Sequence, residues 1–378
     1  MKKLNPSPFT SVFISIAVIV LIVNILCTIG CKKQKEPTIE EKLQAIADSV
    51  KIPLLQVKYV TPDDTLFYQI GKGPKPEAVY QAASLSKVVF AYIVLKMSDE
   101  GSIDLDKPLY EYTDIERFTN KSEARKITAR MVLQHRSGLS DWAASPSSEE
   151  WPTSPITFRF PVDSVFNYSG EGFAFLQRAV ERIKGEKINE IAKKYVFEPF
   201  DMPLSSYEWI PEYSKLATAT FDRDSTNKGV RQFPRANVAY TLRTCATDYT
   251  NFLRRVLIDG EGLNPETYAE FVRPAGEVAT QFPPQIRDVD THNTIFWGLG
   301  IGVEENDTFG RILWHWGDNG TSKALFLVIP EQQKSLIYFA NSASGHDVIN
   351  EIIALFLGDS SPLDLSEWIT DEPAEKAD

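Results

Sequence analysis

Ser84 and Lys87 stand three residues apart in "QAASLSKVVFAYIVLKM", residues 81–97. A serine hydroxyl is a poor nucleophile until a base takes its proton. An ammonium cannot be that base, but burial favours the neutral amine. The unperturbed lysine pKa is about 10.4, so it must fall by several units for Lys87 to act near pH 7. The run Val88–Leu95, whose one polar group is the Tyr92 hydroxyl, supplies the desolvation. On a helix, residues three apart share a face one turn apart. A serine near a helix start also points its own N–H at developing negative charge. The chemistry expected is nucleophilic attack by an activated serine. Taken alone, the pair fits equally well a helix cap beside a snorkelling lysine. A second match, Ser225 and Lys228 in "DSTNKG", is hydrophilic and reads as loop. Only Ser84 leads into a buried helix.

Further stretches follow in order: "GSIDLDKPL", "ITARMVLQHRSGL", "FNYSGEGFAFLQ" and "WHWG". With "AASLSK" they resemble the serine β-lactamase and penicillin-binding-protein superfamily, in its class C-like branch, which also holds esterases and D-amino-acid peptidases. The resemblance covers roughly residues 40–357, and several motifs in order are far more specific than any one. It implies Ser84 as nucleophile, Lys87 as its proton partner and Tyr168 as the motif tyrosine that shuttles protons. It implies His315-Trp316-Gly317 as the third motif, usually Lys-Thr-Gly, with a histidine as in D-alanyl carboxypeptidase and D-aminopeptidase members. The N–H groups of Ser84 and Asp318 would form the oxyanion hole, and His315 would be a partly charged group facing a substrate carboxylate. Two positions depart from the pattern. Gly170 stands where the family has an asparagine, and Trp316 is bulkier than the usual small residue. His135 falls in a stretch the resemblance makes structural, and Ser86 and Ser169 receive no role.

The 378 residues are 43% hydrophobic and 24% charged, with a formal net charge of −11. That is globular composition, and its acidity excludes the basic surface that nucleic acid needs. Lys2 and Lys3 precede the uncharged "VFISIAVIVLIVNILCTIG", residues 12–30, which reads as a signal peptide. "TIGC" resembles a lipobox, which implies lipidation at Cys31. An uncleaved membrane anchor is the alternative. Both place the rest outside the cytoplasm, facing the periplasm or cell exterior. Cys27 leaves with the signal, so Cys245 has no partner and reads as a small buried hydrophobe. His135, His292, His315 and His346 show no metal-ligand spacing. No metal and no cofactor is expected.

The organisation expected is a signal peptide (1–30), a tether (31–37), one domain (38–360) and a frayed acidic tail (361–378). "TIEEKLQAIADSV" has helical spacing with Thr38 as cap, and "LLQVKYV" and "TLFYQIG" form a hairpin around "TPDD". The segment from about 100 to 275 is mostly helical with long loops, "EGFAFLQRAVERIKG" ending on Gly185. Strands return in "IFWGLGIGVEE", "RILWHWG", "KALFLVIP" and "SLIYFAN", and "DVINEIIALFL" closes as a helix. The fold class is α+β: an antiparallel sheet from both chain ends, flanked by terminal helices, with an inserted helical subdomain. Two functions remain open: a serine hydrolase acting on an ester, D-amino-acid peptide or β-lactam bond of a small or peptidoglycan-like substrate, with an esterase or D-aminoacyl peptidase favoured over an efficient β-lactamase because of Gly170, and a non-catalytic or acylation-only sensor. The partners expected are that substrate and a membrane reached through the lipid; the sequence assigns no oligomeric state.

Overall fold

The computed structural model describes residues 36–278, 294–358 and 363–370. The signal segment, Cys31, His292 and residues 371–378 lie outside the described residues. The chain divides after Lys42 into two units. Residues 36–42 of the first open helix α1 (Ile39–Ser49). Thr38 Oγ1 accepts from Glu41 N at 3.2 Å, and Glu41 Oε2 accepts from Thr38 N at 2.7 Å. This reciprocal pair satisfies two helix-start donors, as Thr38 leads one to expect.

The second unit is built on a sheet with strands from both chain ends. They are β1 (Leu54–Val60), β2 (Thr65–Gly71), β3 (Gly276–Glu277), β4 (Ile295–Trp297), β5 (Gly302–Asn306), β6 (Gly310–Asp318), β7 (Lys323–Ile329) and β8 (Lys334–Ala340). Their order is β2-β1-β8-β7-β6-β5-β4-β3 and every neighbouring pair is antiparallel. The α+β class holds. Opposed residues share a face, so the register His315↔Phe326↔Ile337 and Gly317↔Ala324↔Phe339 puts these side chains on one face. The same face meets α5 (Ala246–Phe252), which follows α2 (Ser86–Asp99), α3 (Ala129–Leu133) and α4 (Gly170–Lys184) along the chain. Tyr249 of α5 lies 5.8 Å from Phe326 and 6.5 Å from Phe339, ring to ring. The opposite face is covered by α6 (Ile349–Leu357) and α7 (Asp364–Thr370). Phe356 packs 5.2 Å from Tyr59, and Trp368 packs 5.4 Å from Trp314.

α2 is apolar all round and almost wholly buried, as such a helix must be. α4 starts where Ser169 Oγ accepts from Gly172 N at 3.1 Å and ends on Gly185 at φ +67°. Cys245 is free and buried.

Two expectations need correction. "IFWGLGIGVEE" is a hairpin, β4 and β5, and not one strand. Gly298 N donates to Ile301 O at 2.8 Å and Gly300 takes φ +86°, so the glycines turn the chain between two apolar runs. The tail does not fray throughout. Residues 364–370 form α7, because Leu365, Trp368 and Ile369 line one helical face and are buried. The acidic residues around them hide that stripe in the sequence.

Candidate active site

Ser84 precedes α2. It is the middle residue of a 3-10 turn, Ala83–Leu85, that leads into the helix. Ala83 sits at φ +48°, a conformation that costs a residue with a Cβ and persists only where its surroundings enforce it. Ser86 enforces it, donating to Ala83 O at 2.5 Å and accepting from Leu242 N at 3.0 Å. Tyr207 and Tyr249 hydroxyls donate to Ser86 O and Leu85 O at 2.7 and 2.8 Å. Ser86, to which the sequence assigns no role, is a brace of the turn. From the other side, a Cβ on Gly317 would lie 2.4 Å from Ala82 O and 3.2 Å from both Ala83 Cβ and Leu85 Cδ1. Glycine at 317 therefore lets the end of β6 run against the serine turn.

Lys87 is buried, 2% exposed. Its Nζ lies 3.0 Å from Ser84 Oγ and donates to Ala239 O at 2.9 Å. Burial lowers its pKa to about 7, outweighing the Asp141 carboxylate, which pulls the other way. In the neutral amine an N–H still serves Ala239 O, and the lone pair is left for the Ser84 hydroxyl proton. Nζ lies 4.7 Å from the Tyr168 ring centre, so the three residues of the sequence expectation come together.

Tyr168 stacks on His135, with ring centres 4.2 Å apart at 26°. His135 Nδ1 accepts from Ser169 N at 3.1 Å, which leaves the proton on Nε2. Burial, then the charge on Lys87, holds His135 well below the ordinary imidazole pKa. A neutral His135 thus fixes both the ring and the backbone beside Tyr168. Its place in "LQHRSGL" is the available signal in the sequence. Ser169, also unassigned from sequence, is the cap of α4 and donates to Ser140 O at 2.8 Å.

His315 differs from expectation in its charge. It is fully buried, Nδ1 donates to Trp316 O at 2.7 Å, and burial with the nearby Lys87 charge lowers its pKa to about 3. The ring is neutral, so it does not act as a cation toward a carboxylate. Trp316 lies between Tyr168 at 5.0 Å and Trp368 of α7 at 4.8 Å. Asp318, at the end of β6, accepts from Gly320 N at 2.7 Å and pairs with Lys323. Next to it, Asn319 Nδ2 donates to Tyr240 O at 3.2 Å, tying the end of β6 to the segment that holds Lys87. Gly170 N donates to Asp141 Oδ1 at 2.7 Å. A separate cavity of about 290 Å³, lined by residues such as Tyr92, Lys96, Tyr195 and Phe200, contains none of these groups.

The geometry can remove a proton from Ser84 in a low-dielectric setting and hold a tyrosine beside the same lysine. A family model described as Beta-lactamase matches residues 39–358. Penicillin-binding protein 4 of Amycolatopsis lactamdurans is 25% identical over 137 residues, 33% of this chain and 35% of that protein. A lovastatin esterase of Penicillium rubens is 25% identical over 160 residues, 34% of this chain and 39% of that protein. The matched stretch therefore spans little more than a third of either relative. In three dimensions, a D-stereospecific amidohydrolase from Streptomyces sp. superposes with a TM-score of 0.69 at 19% identity, covering 85% of this chain and 98% of the other. That likeness shows the fold.

Proposed function

The chain belongs to the Beta-lactamase family, and from that premise we propose that it is a serine hydrolase working through a Ser84 acyl-enzyme, with esters preferred over amides and β-lactams. The observation that carries this is the 3.0 Å approach of Lys87 Nζ to Ser84 Oγ, with the lysine pKa lowered to about 7.

Neutral Lys87 takes the Ser84 proton as Oγ bonds to the substrate carbonyl carbon, and the carbonyl π pair moves onto oxygen. The N–H groups of Ser84 and Asp318 receive that oxyanion. Collapse breaks the bond to the leaving group, which takes the proton from Lys87 through the Tyr168 phenol. Water then adds to the acyl ester and gives its proton to the same pair. The carbon–Oγ bond breaks and Ser84 recovers its proton.

The preference rests on Gly170. It offers no amide to a substrate acylamido group, and one lost hydrogen bond at a buried polar partner is worth about 1–3 kcal/mol, roughly tenfold to a hundredfold in rate. Neutral His315 offers no cation to a substrate carboxylate, which further disfavours penicillins. The relative named as an esterase supports the same choice, while the amidohydrolase fold keeps D-amino-acid peptides as the next class. The expected result is measurable kcat/KM on nitrophenyl butyrate, lower values on a D-alanyl amide, and slow or absent turnover of a chromogenic cephalosporin. Efficient cephalosporin turnover with esters untouched would reverse the ranking, and a stable Ser84 adduct with no turnover on any of the three would make the protein an acylation-only sensor.

We also propose export with a lipid on Cys31, motivated by "TIGC" after the apolar run. Cys31→Ser is expected to shift the protein from the membrane to the soluble fraction. A mature chain starting at Met1 without lipid mass would favour the uncleaved anchor instead.

A further inference from the structure

Gly170 and Trp142 are complementary. A Cβ built on Gly170 would lie 2.1 Å from Trp142 Cζ2 and 2.6 Å from Cε2 and Cη2. Carbon atoms in contact stand about 3.5–4.0 Å apart, so the indole occupies the space any larger residue at 170 would claim. The indole is held there from several sides. Trp151 and Tyr240 meet it edge-on, with ring centres at 6.0 and 5.6 Å and interplanar angles of 73° and 81°. The backbone beside it is pinned to the start of α4. Asp141 O accepts from Glu171 N at 2.7 Å, and buried Glu171 Oε2 accepts from Ala143 N at 3.2 Å and Trp151 Nε1 at 2.7 Å. Tyr240 follows Ala239, whose carbonyl receives Lys87 Nζ. Trp142 thus bridges the two segments that flank Lys87, Tyr168–Gly170 and Ala239–Tyr240.

We infer that Trp142 determines specificity: its indole puts an apolar wall where a side chain at 170 would offer a hydrogen bond, so the site takes esters of an apolar acyl group with no amide nitrogen next to the scissile carbonyl. The inference rests on the acyl-enzyme reading above. Each methylene laid against such a wall raises kcat/KM by about threefold to fourfold. An amide placed against it loses its water and gains no partner, which lowers kcat/KM by roughly tenfold or more. A polar substitute at 142 would restore a partner.

The test uses nitrophenyl esters of butyrate, hexanoate and N-acetylglycine, which share a leaving group, with a fluorophosphonate to count reactive Ser84. In the wild-type protein kcat/KM is expected to fall from hexanoate to butyrate to N-acetylglycine. Trp142→Ala and Trp142→Gln are expected to flatten that order to within about threefold, and Trp142→Phe, which keeps an apolar ring, to preserve it. An N-acetylglycine ester as good as hexanoate in the wild type overturns the inference, whether or not any variant folds. So does an unchanged order in Trp142→Gln. Absence of fluorophosphonate labelling in the wild type would instead overturn the acyl-enzyme reading, so the two failures are distinct.

Discussion

Replacing Ser84 by alanine is expected to abolish every covalent adduct and to lower kcat by about 10⁴-fold or more, because nucleophile and base act as one unit. The fold should survive the change. Ser84 is only partly buried, and Ser86 and the two tyrosine hydroxyls brace the turn without using the Ser84 side chain. Lys87 keeps Ala239 O as a partner. The variant's Tm should therefore stay within a few degrees of wild type, roughly the effect of 1 kcal/mol or less. Ser86 cannot take over the chemistry. It is fully buried and its hydroxyl is committed to Ala83 O and Leu242 N. Intact-mass analysis after incubation with fluorophosphonate, with kcat on nitrophenyl butyrate, decides the matter. An adduct or undiminished turnover in Ser84→Ala would sink the mechanism.

The pairing of Ser84 with a buried Lys87 was legible in the sequence because it is local. A serine three residues before a lysine, leading into an apolar helix, carries both the geometry and the desolvation. The sheet was legible for a similar reason, since alternating apolar runs at both chain ends can only bury themselves together. What the sequence hid is set by contacts between distant segments. Ala83 at φ +48° gives no local sign of its strain; its brace Ser86 is itself held by Leu242, and Tyr207, Tyr249 and Gly317 complete the support from distant segments. The charge of His315 could not be read either, because its residue type says nothing of the burial that lowers its pKa to about 3. Gly170 was visible as a departure from the family pattern. That Trp142, from a loop without a signature, fills the space is a fact of packing. α7 was missed because its apolar stripe is short and set among acids.

The pH dependence of Lys87 is expected to appear in both activity and stability, with different signatures. The lysine faces Ser84 Oγ, Ala239 O and the rings of Tyr168 and Phe173. Of the ionisable groups around it, His135 and His315 are held neutral near pH 7 and Asp141 is the nearby acid. With a pKa of about 7, the neutral base makes up roughly a tenth of the enzyme at pH 6 and nine-tenths at pH 8. kcat/KM on an ester should rise about tenfold over that range and then level off. Stability follows from the same shift. Between about 7 and 10.4 the unfolded lysine is protonated and the folded one is not, so the unfolded state binds more protons and stability rises with pH across this window. Below pH 7 both states carry the proton and the full cost of the buried ammonium is present, on the order of 5 kcal/mol. Lys87→Met removes that cost and all activity. Its stability relative to wild type should be greatest at pH 6 and shrink steadily toward pH 10. The loss of the contact to Ala239 O shifts this difference by a constant and leaves its slope untouched, so the slope is the readout. A difference between Lys87→Met and wild type that stays flat from pH 6 to pH 10 would mean that Lys87 keeps an ordinary pKa, and another group would then have to take the proton of Ser84.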